Sequence, residues 1–201
     1  IQDQTFNLKD FERVFLIGFG KGSAGLSKEI EKILGAFLTQ GNVIDLVKEQ
    51  FSKIEQTIGT HPLPSETNLN FTKKAIEQFI PEKSRSNRDN GAGNLTIRDL
   101  VIVVIAGGGS ALFESPYKIS LDKLIEVNKS LLLSGATITE MNIVRKHLSL
   151  VKGGGLVKLF YPSSILSVIA SDVPGNDLST IASGPTVKDE TTKQEALEIL
   201  K

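Results

Sequence analysis

The sequence contains no cysteine, and histidine occurs only twice in 201 residues. The absence of cysteine excludes disulfides, thiolate metal sites and a cysteine nucleophile. Two histidines are too few for a multi-histidine metal site. A chain without cysteine is compatible with a reducing compartment, and we expect a cytoplasmic protein.

The sequence also lacks an excess of charge of either sign and any long apolar run. Lysine plus arginine and aspartate plus glutamate each number 23, so the charge balance favours neither nucleic acid nor a membrane surface as a partner. No apolar run approaches the roughly 18–20 residues of a membrane span. A hydrophobic content of 40% and the length suit one α/β domain over residues 1–201.

Short apolar runs alternate with helical patterns along the chain. Three runs, Val14–Ile17, Leu100–Ala106 and Ile165–Ala170, are apolar except for Ser167, and such continuous rather than alternating hydrophobicity predicts strands covered on both faces. Two weaker strand candidates are Val43–Val47 and Ile54–Ile58. This alternation predicts a Rossmann-like α/β fold with an open, mostly parallel sheet and helices on both faces.

Apolar spacing and capping residues predict the helices. A stripe of apolar residues from Leu26 to Leu38 predicts one amphipathic helix after the first strand. Residues 81–96 are polar and rich in asparagine and glycine, which predicts an exposed loop. Further helix starts are predicted from capping residues or apolar spacing at Ser65, Ser120, Thr139 and Thr192.

A glycine-rich loop with a lysine follows the first predicted strand. Gly20, Lys21 and Gly22 lead directly into a helix, where backbone N–H groups, the helix dipole and the lysine favour an anion. The phosphate-loop motif of the Walker type does not fit, because Gly22 follows the lysine in place of serine or threonine. The loop is interpreted as a generic anion site, or alternatively as a tight turn with a solvated lysine.

A second loop, after Leu100–Ala106, consists of Gly107, Gly108, Gly109 and Ser110. Three consecutive glycines cost roughly 0.5–1 kcal/mol each relative to alanine. A backbone wrapped around phosphate explains that cost better than packing does. Ser110 is interpreted as a helix cap and ligand contact rather than a nucleophile, because the nucleophile-elbow pattern is incomplete.

Acidic residues follow the last strong strand. A carboxylate at Asp172 or Asp177 can hold Mg²⁺ or accept a hydroxyl proton during phosphoryl transfer. Capping of turns by the two aspartates is an equally open alternative.

Cationic residues and a histidine complete the candidates. Arg145 and Lys146 lie on a predicted helix beside two glycine-rich loops, so they either contact an anionic substrate or form a solvated face. His61 lies in a loop framed by prolines, and a lone histidine is more often structural than catalytic.

Several of these segments, in their order along the chain, resemble the N-terminal domain of the glycerate 2-kinase family, a family sometimes labelled hydroxypyruvate reductase. The resemblance implies a two-domain kinase that uses ATP and Mg²⁺ to phosphorylate the 2-hydroxyl of glycerate. It also implies that a leading helix and a C-terminal domain, which forms one wall of the cleft, lie outside this chain. The segments are Gly20–Ala24, Thr60–Pro64, Gly107–Leu112, Asn142–Ser149, Lys152–Gly154, Ser171–Ser179 and Ile181–Thr186.

The resemblance implies roles for individual residues. Lys21 matches the family's phosphate-contacting lysine, and Asp172 matches an acidic position that would serve catalysis or hold the metal. Arg145, Lys146 and Asp177 match positions expected to bind substrate. The chain departs from the family pattern where alanine precedes the triple glycine, where serine follows the second proline of the His61 loop, and in its longer polar loop.

Two alternatives remain at this level. An NAD(P)-dependent oxidoreductase of the hydroxypyruvate reductase type requires an acidic residue after the second strand to hold a ribose, and Asp45 is the candidate. The third glycine of the dinucleotide fingerprint is Ser23, however. The other alternative is a non-catalytic module that binds an anion.

Overall fold

The structure, a computed structural model, is described over residues 5–78 and 95–201. At its centre lies a parallel sheet in the order β3-β2-β1-β4-β5. This is the strand order of a Rossmann-like fold, with the topological switch point between β1 and β4, and it confirms the predicted fold class. The strands are β1 Arg13–Phe19, β2 Leu38–Asp45, β3 Ile54–Ile58, β4 Asp99–Ile105 and β5 Ser164–Ile169.

The predicted capping residues begin their helices. The side chains of Ser65, Ser120 and Thr192 each accept a hydrogen bond from a backbone N–H in the first helical turn. The helix predicted near Thr139 begins at Ile138, after a capping box formed by Thr137. The helices are α1 Ser23–Leu34, α2 Glu66–Glu77, α3 Gly109–Leu112, α4 Leu121–Leu133, α5 Ile138–His147, α6 Gly155–Phe160 and α7 Lys193–Ile199.

Alternate residues of the central strands face two separate cores. Phe15 and Ile17 of β1 pack with α2 and α6 on one face of the sheet. Val14 and Leu16 pack with Ala24 and other residues of α1 on the opposite face. Because both faces are covered, the central strands must be apolar throughout, which is the pattern that the sequence shows.

The prediction that one helix runs from Leu26 to Leu38 is wrong at its C-terminal end. Helix α1 ends at Leu34, where Gly35 adopts a positive φ of 52° and its N–H closes the last turn on Glu31. Leu38 is fully buried as the first residue of β2, whereas Ile33 is 81% exposed. The apolar stripe therefore combined residues of three elements, namely α1, the 3-10 helix Gly35–Phe37 and β2.

Parts of two predictions lie outside the described residues. Most of the polar loop at 81–96 and the last two residues, 79–80, of the helix predicted to begin after Ser65 lie outside the described residues. Within the residues that are described, none of the helices has the length and apolar character needed to cross a bilayer.

An ion pair joins the first residues of the two central strands. Arg13 donates from Nε to Asp99 Oδ1 at 2.8 Å and from Nη2 to Asp99 Oδ2 at 2.7 Å, and the two residues face each other in the β1–β4 register. The Asp99 side chain is fully buried, and Thr96 donates its backbone N–H to it at 2.6 Å. Burial alone would raise the pKa of Asp99, but the hydrogen bonds from Arg13 and Thr96 outweigh burial and hold the pKa below its ordinary value.

Replacing Asp99 by Asn should destabilise the domain by about 1.5–3 kcal/mol at pH 7, because hydrogen bonds to a buried charge are lost. We expect the lower end of this range, since the Arg13 side chain is 39% exposed and water screens it. The Asp99 carboxylate stabilises the fold above its unfolded pKa of about 3.9, and this stabilisation is lost as the pH falls through the lower folded value. Urea unfolding of parent and variant from pH 7 to pH 2.5 measures both effects.

Glu126→Gln is the matched control, because Glu126 forms an exposed ion pair with Lys123. It should leave the urea midpoint almost unchanged. A similar loss in both variants at pH 7, or a loss for Asp99→Asn that persists undiminished at pH 2.5, would contradict the assignment.

Candidate active site

The loops after β1 and β4 stay in contact beyond the ends of their strands. Ala106 donates its N–H to Phe19 O at 3.0 Å, and Lys21 donates its N–H to Gly107 O at 2.7 Å. Gly20, at a φ of 114°, lies so close to the Ala106 carbonyl that no side chain fits there. These contacts fix the position of Lys21 at the switch point, where α/β folds of this type bind ligands.

Gly107 and Gly108 of the triple-glycine loop can have no side chains, because side chains from other loops already occupy the space beside them. A Cβ atom on Gly107 would overlap the carboxylate of Asp172. Gly108 has a φ of 75°, and a Cβ there would lie 2.8 Å from His61 Nε2 and 3.2 Å from Lys21 Cε. Asp172, His61 and Lys21 therefore surround two consecutive residues whose Cα atoms are about 3.8 Å apart.

These three side chains come from loops that follow three different strands. Lys21 follows β1, His61 follows β3 and Asp172 follows β5, and all three side chains are exposed. Partial loss of hydration lowers the pKa of His61, Lys21 lowers it further, and Asp172 opposes the shift. The structure thus brings together the two predicted catalytic residues and adds His61, which sequence reasoning treated as structural. The signal that could have found His61 is its position, since it too follows the carboxyl end of a strand.

Ser110 connects the triple-glycine loop to helix α5. Its hydroxyl lies 2.9 Å from Ser183 Oγ, and Ser183 donates to Asn142 Oδ1 at 2.9 Å. The N-cap of α3 is Gly108, so the interpretation of Ser110 as a helix cap is wrong, because Ser110 already lies inside the helical turn. Its role as a ligand contact stays a prediction.

The N-terminus of α1 is occupied by a carboxylate of the protein itself. Asp45 Oδ2 accepts the N–H groups of Gly22 and Ala24, each at 2.9 Å, and Asp45 Oδ1 accepts that of Leu46 at 2.6 Å. Asp45 is 1% exposed. The N–H of Gly22 is therefore already used, and in the triple-glycine loop the N–H of Gly109 donates to Ala106 O at 3.2 Å. Nucleotide binding by Gly20, Gly22 and Gly107–Ser110 stays a prediction.

Asp177 organises its own turn. Its carboxylate accepts hydrogen bonds from the Thr180 hydroxyl at 2.6 Å and from the N–H and hydroxyl of Ser179 at 3.0 and 2.9 Å. These hydrogen bonds lower the pKa of Asp177, and the charge of Lys146 contributes. The contacts are those of a turn cap, the alternative that the sequence left open, and substrate binding by Asp177 stays a prediction.

Arg145 belongs to a partly buried polar cluster. Its Nε donates to Asn128 Oδ1 at 2.7 Å, and burial lowers its pKa while Glu114 opposes the shift. Glu114 also accepts from the buried Lys152 at 2.5 Å. Lys146 pairs with Asp189 at 3.4 Å. Both predicted substrate cations thus have acceptors within the protein, and substrate binding by Arg145 and Lys146 stays a prediction.

The site provides a cation, a carboxylate, an imidazole and the half-buried backbone of Gly107 and Gly108 at the switch point. A group of three or more acidic, histidine or cysteine side chains placed to hold a metal is not found within residues 5–78 and 95–201. Asp172 by itself is consistent with Mg²⁺, which proteins bind through one or two carboxylates together with substrate phosphates and water. Fold and site together define a Rossmann-like α/β domain with a candidate ligand site between β1 and β4.

The chain belongs to the family described as "Domain of unknown function (DUF4147)", whose model matches residues 1–201. It is 38% identical over 206 residues to a protein named glycerate 2-kinase from Pyrococcus horikoshii, covering 100% of this chain and 42% of that protein. It is 39% identical over 191 residues to a protein named putative hydroxypyruvate reductase from Agrobacterium vitis, covering 94% of this chain and 41% of that protein.

A solved structure shows the same fold. The crystal structure of a glycerate kinase from Thermotoga maritima superposes with a TM-score of 0.84 at 33% sequence identity, and the match covers 94% of this chain and 44% of that one. The chain thus spans less than half the length of the relatives that it matches.

Adding a methyl group to Gly107 or Gly108 should disrupt the site in two distinguishable ways. Gly107→Ala displaces the Asp172 carboxylate without requiring a positive φ, so we expect weaker ADP binding with a melting temperature within a few degrees of the parent. Gly108→Ala forces alanine into a left-handed conformation that costs about 1–2 kcal/mol, so both affinity and melting temperature should fall. Isothermal titration calorimetry with ADP and thermal unfolding measure these effects.

Gly25→Ala is the control, because no atom lies within 4 Å of the added methyl group and Gly25 is helical. It should keep the parent's ADP affinity and raise stability slightly. Parent-like ADP affinity in Gly107→Ala would show that the loop is not part of the ligand site.

Proposed function

We propose that this chain is the N-terminal, nucleotide-handling part of a kinase that transfers the γ-phosphoryl group of ATP to the 2-hydroxyl of glycerate. The observation that carries the proposal is the convergence of Lys21 and Asp172 on the bare backbone of Gly107 and Gly108. Membership of a family whose relatives include proteins named glycerate 2-kinase supports the substrate assignment.

The geometry suits a reaction that depends on positioning and charge. In the transfer, the 2-hydroxyl oxygen bonds to the γ-phosphorus, the bond from that phosphorus to the bridging oxygen breaks, and ADP leaves. Negative charge on the transferred group is stabilised by the Lys21 ammonium and by N–H groups of the triple-glycine loop. Asp172, held beside Gly107, orients the hydroxyl and accepts its proton, or holds the metal.

Mg²⁺ would be held by Asp172 together with phosphate oxygens, and when bound it neutralises charge on the phosphates. The remaining wall of the cleft would come from the part of the relatives that extends beyond this chain. On this proposal glycerate and ATP are the substrates, and the partner is a C-terminal domain of the same protein.

The dinucleotide alternative receives no support from the second strand. A ribose-binding acid must present its carboxylate to the ligand, but the Asp45 carboxylate is buried and bonded to Gly22, Ala24 and Leu46. The anion-binding alternative predicts ADP binding without turnover, which an assay for ADP release on the whole protein distinguishes from a kinase.

Lys21→Ala should lower kcat/KM for ATP in the whole protein by at least about 100-fold, or about 2.7 kcal/mol of transition-state stabilisation. The melting temperature should change little, because the Lys21 side chain is exposed and contributes little packing. Lys123→Ala, which removes an exposed lysine on α4, is the control and should match the parent. Equal kcat/KM for Lys21→Ala and the parent would refute the role of Lys21.

Asp172→Asn should keep the melting temperature within a few degrees and lower kcat by at least about 100-fold, the low end of general-base contributions. If excess Mg²⁺ restores turnover, Asp172 holds the metal; if it does not, Asp172 acts on the hydroxyl. Asp122→Asn, an exposed acid on α4, is the control. Parent-like turnover with reduced stability would show that Asp172 only caps its turn.

A further inference from the structure

His61 lies against the triple-glycine loop although β3, the strand before it, is three positions from β4 in the sheet. It belongs to the loop between β3 and α2, and a Cβ on Gly108 would lie 2.7 Å from His61 Cδ2 and 2.8 Å from His61 Nε2. The Cδ2–Nε2 edge of the imidazole therefore faces the loop backbone. Nε2 lies beside the Gly108 backbone, on the side where a Cβ atom would be.

A buried asparagine holds the His61 loop against the triple-glycine loop. Asn68 of α2 accepts the N–H of Thr60 at 2.9 Å and donates to Thr60 O and to Ala111 O, each at 2.9 Å. Asn68 is fully buried. One side chain thus bonds both the residue before His61 and the short helix that follows Gly108, so the backbone next to His61 is held beside the triple-glycine loop.

The position of His61 beside Lys21 suits an anion rather than packing alone. The side of Gly108 that carries His61 Nε2 also carries Lys21 Cε, whereas Asp172 lies at Gly107. The imidazole is exposed, so it contributes little to the hydrophobic core. An imidazole N–H and an ammonium beside the same glycine can both donate to one anionic ligand.

We propose that His61 is a further ligand-contacting residue, whose Nε2–H donates to a phosphoryl oxygen of the nucleotide bound by Lys21 and the Gly107–Gly108 backbone. The proposal rests on the proposed kinase function for the identity of the nucleotide. It assigns His61 to binding and orienting the phosphoryl group and gives it no proton-transfer step. Asn68 is then the positioning residue for this contact.

The test compares His61→Gln with His61→Leu in the whole protein. The amide nitrogen of glutamine can occupy the place of Nε2 and donate the same hydrogen bond, whereas leucine fills the space without a donor. We expect His61→Leu to weaken ADP binding by about 10-fold or more and to raise KM for ATP, as the loss of a hydrogen bond to a charged group implies. His61→Gln should stay within about threefold of the parent.

The chain offers a matched control in its only other histidine. His147 bonds through Nδ1 to Ile143 O within α5, so His147→Gln should leave ADP affinity unchanged. Calorimetric ADP affinity and KM for ATP and for glycerate are measured for all variants, together with melting temperatures to confirm that each is folded.

Parent-like ADP affinity in His61→Leu would overturn the proposal. Equal losses in His61→Gln and His61→Leu would also overturn it, because they would show that the ring acts by packing. A change confined to KM for glycerate would move the contact to the hydroxy acid and overturn the phosphoryl assignment. If the parent binds ADP but does not phosphorylate glycerate, the proposed function fails, while the ADP affinities still decide the role of His61.

Discussion

The close approach of the loops after β1 and β4 is the constraint on which the site depends. The two backbones remain hydrogen-bonded past the strands, through Phe19 with Ala106 and Lys21 with Gly107. They can do so only because Gly20 has no side chain to collide with the Ala106 carbonyl. The same lack of side chains at Gly107 and Gly108 leaves room for Asp172 and His61 from loops after other strands. The glycines of these loops therefore make room for polar side chains from other loops, in addition to allowing unusual backbone angles.

A second feature distinguishes this domain from a dinucleotide-binding one. In the common arrangement, the first helix offers its unpaired N–H groups to a phosphate of the ligand. Here Asp45 takes those N–H groups and neutralises the helix dipole from within the protein. On the proposed function, an anion would instead bind at the loop after β4, where Gly108 lies beside Lys21.

Local sequence patterns predicted much of the architecture. Continuous apolar runs identified β1 and β4, because strands covered on both faces contain few polar residues, and the third run identified β5, which is an edge strand and only half-buried. Ser65, Ser120 and Thr192 marked helix starts. A helix cap is a hydrogen bond from a backbone N–H to a side chain three residues earlier, so it depends only on the local sequence. The end of α1 was mistaken because an apolar spacing cannot tell whether Leu38 packs as helix or as the start of the next strand.

The sequence by itself therefore determined the fold class, the order of the elements and the loops in which a site is expected. Only the tertiary structure decided which polar side chains of those loops come together at the triple-glycine loop. Asp45, Asp177 and Arg145 have hydrogen-bond partners within the protein, whereas Lys21, His61 and Asp172 converge on bare backbone. The physical reason is that a strand or a cap depends on neighbours in sequence, while the availability of a charged group depends on contacts across the fold. Asn68 shows this directly, since it joins residues eight and 43 positions away and so brings His61 to a loop that the sequence does not connect to it.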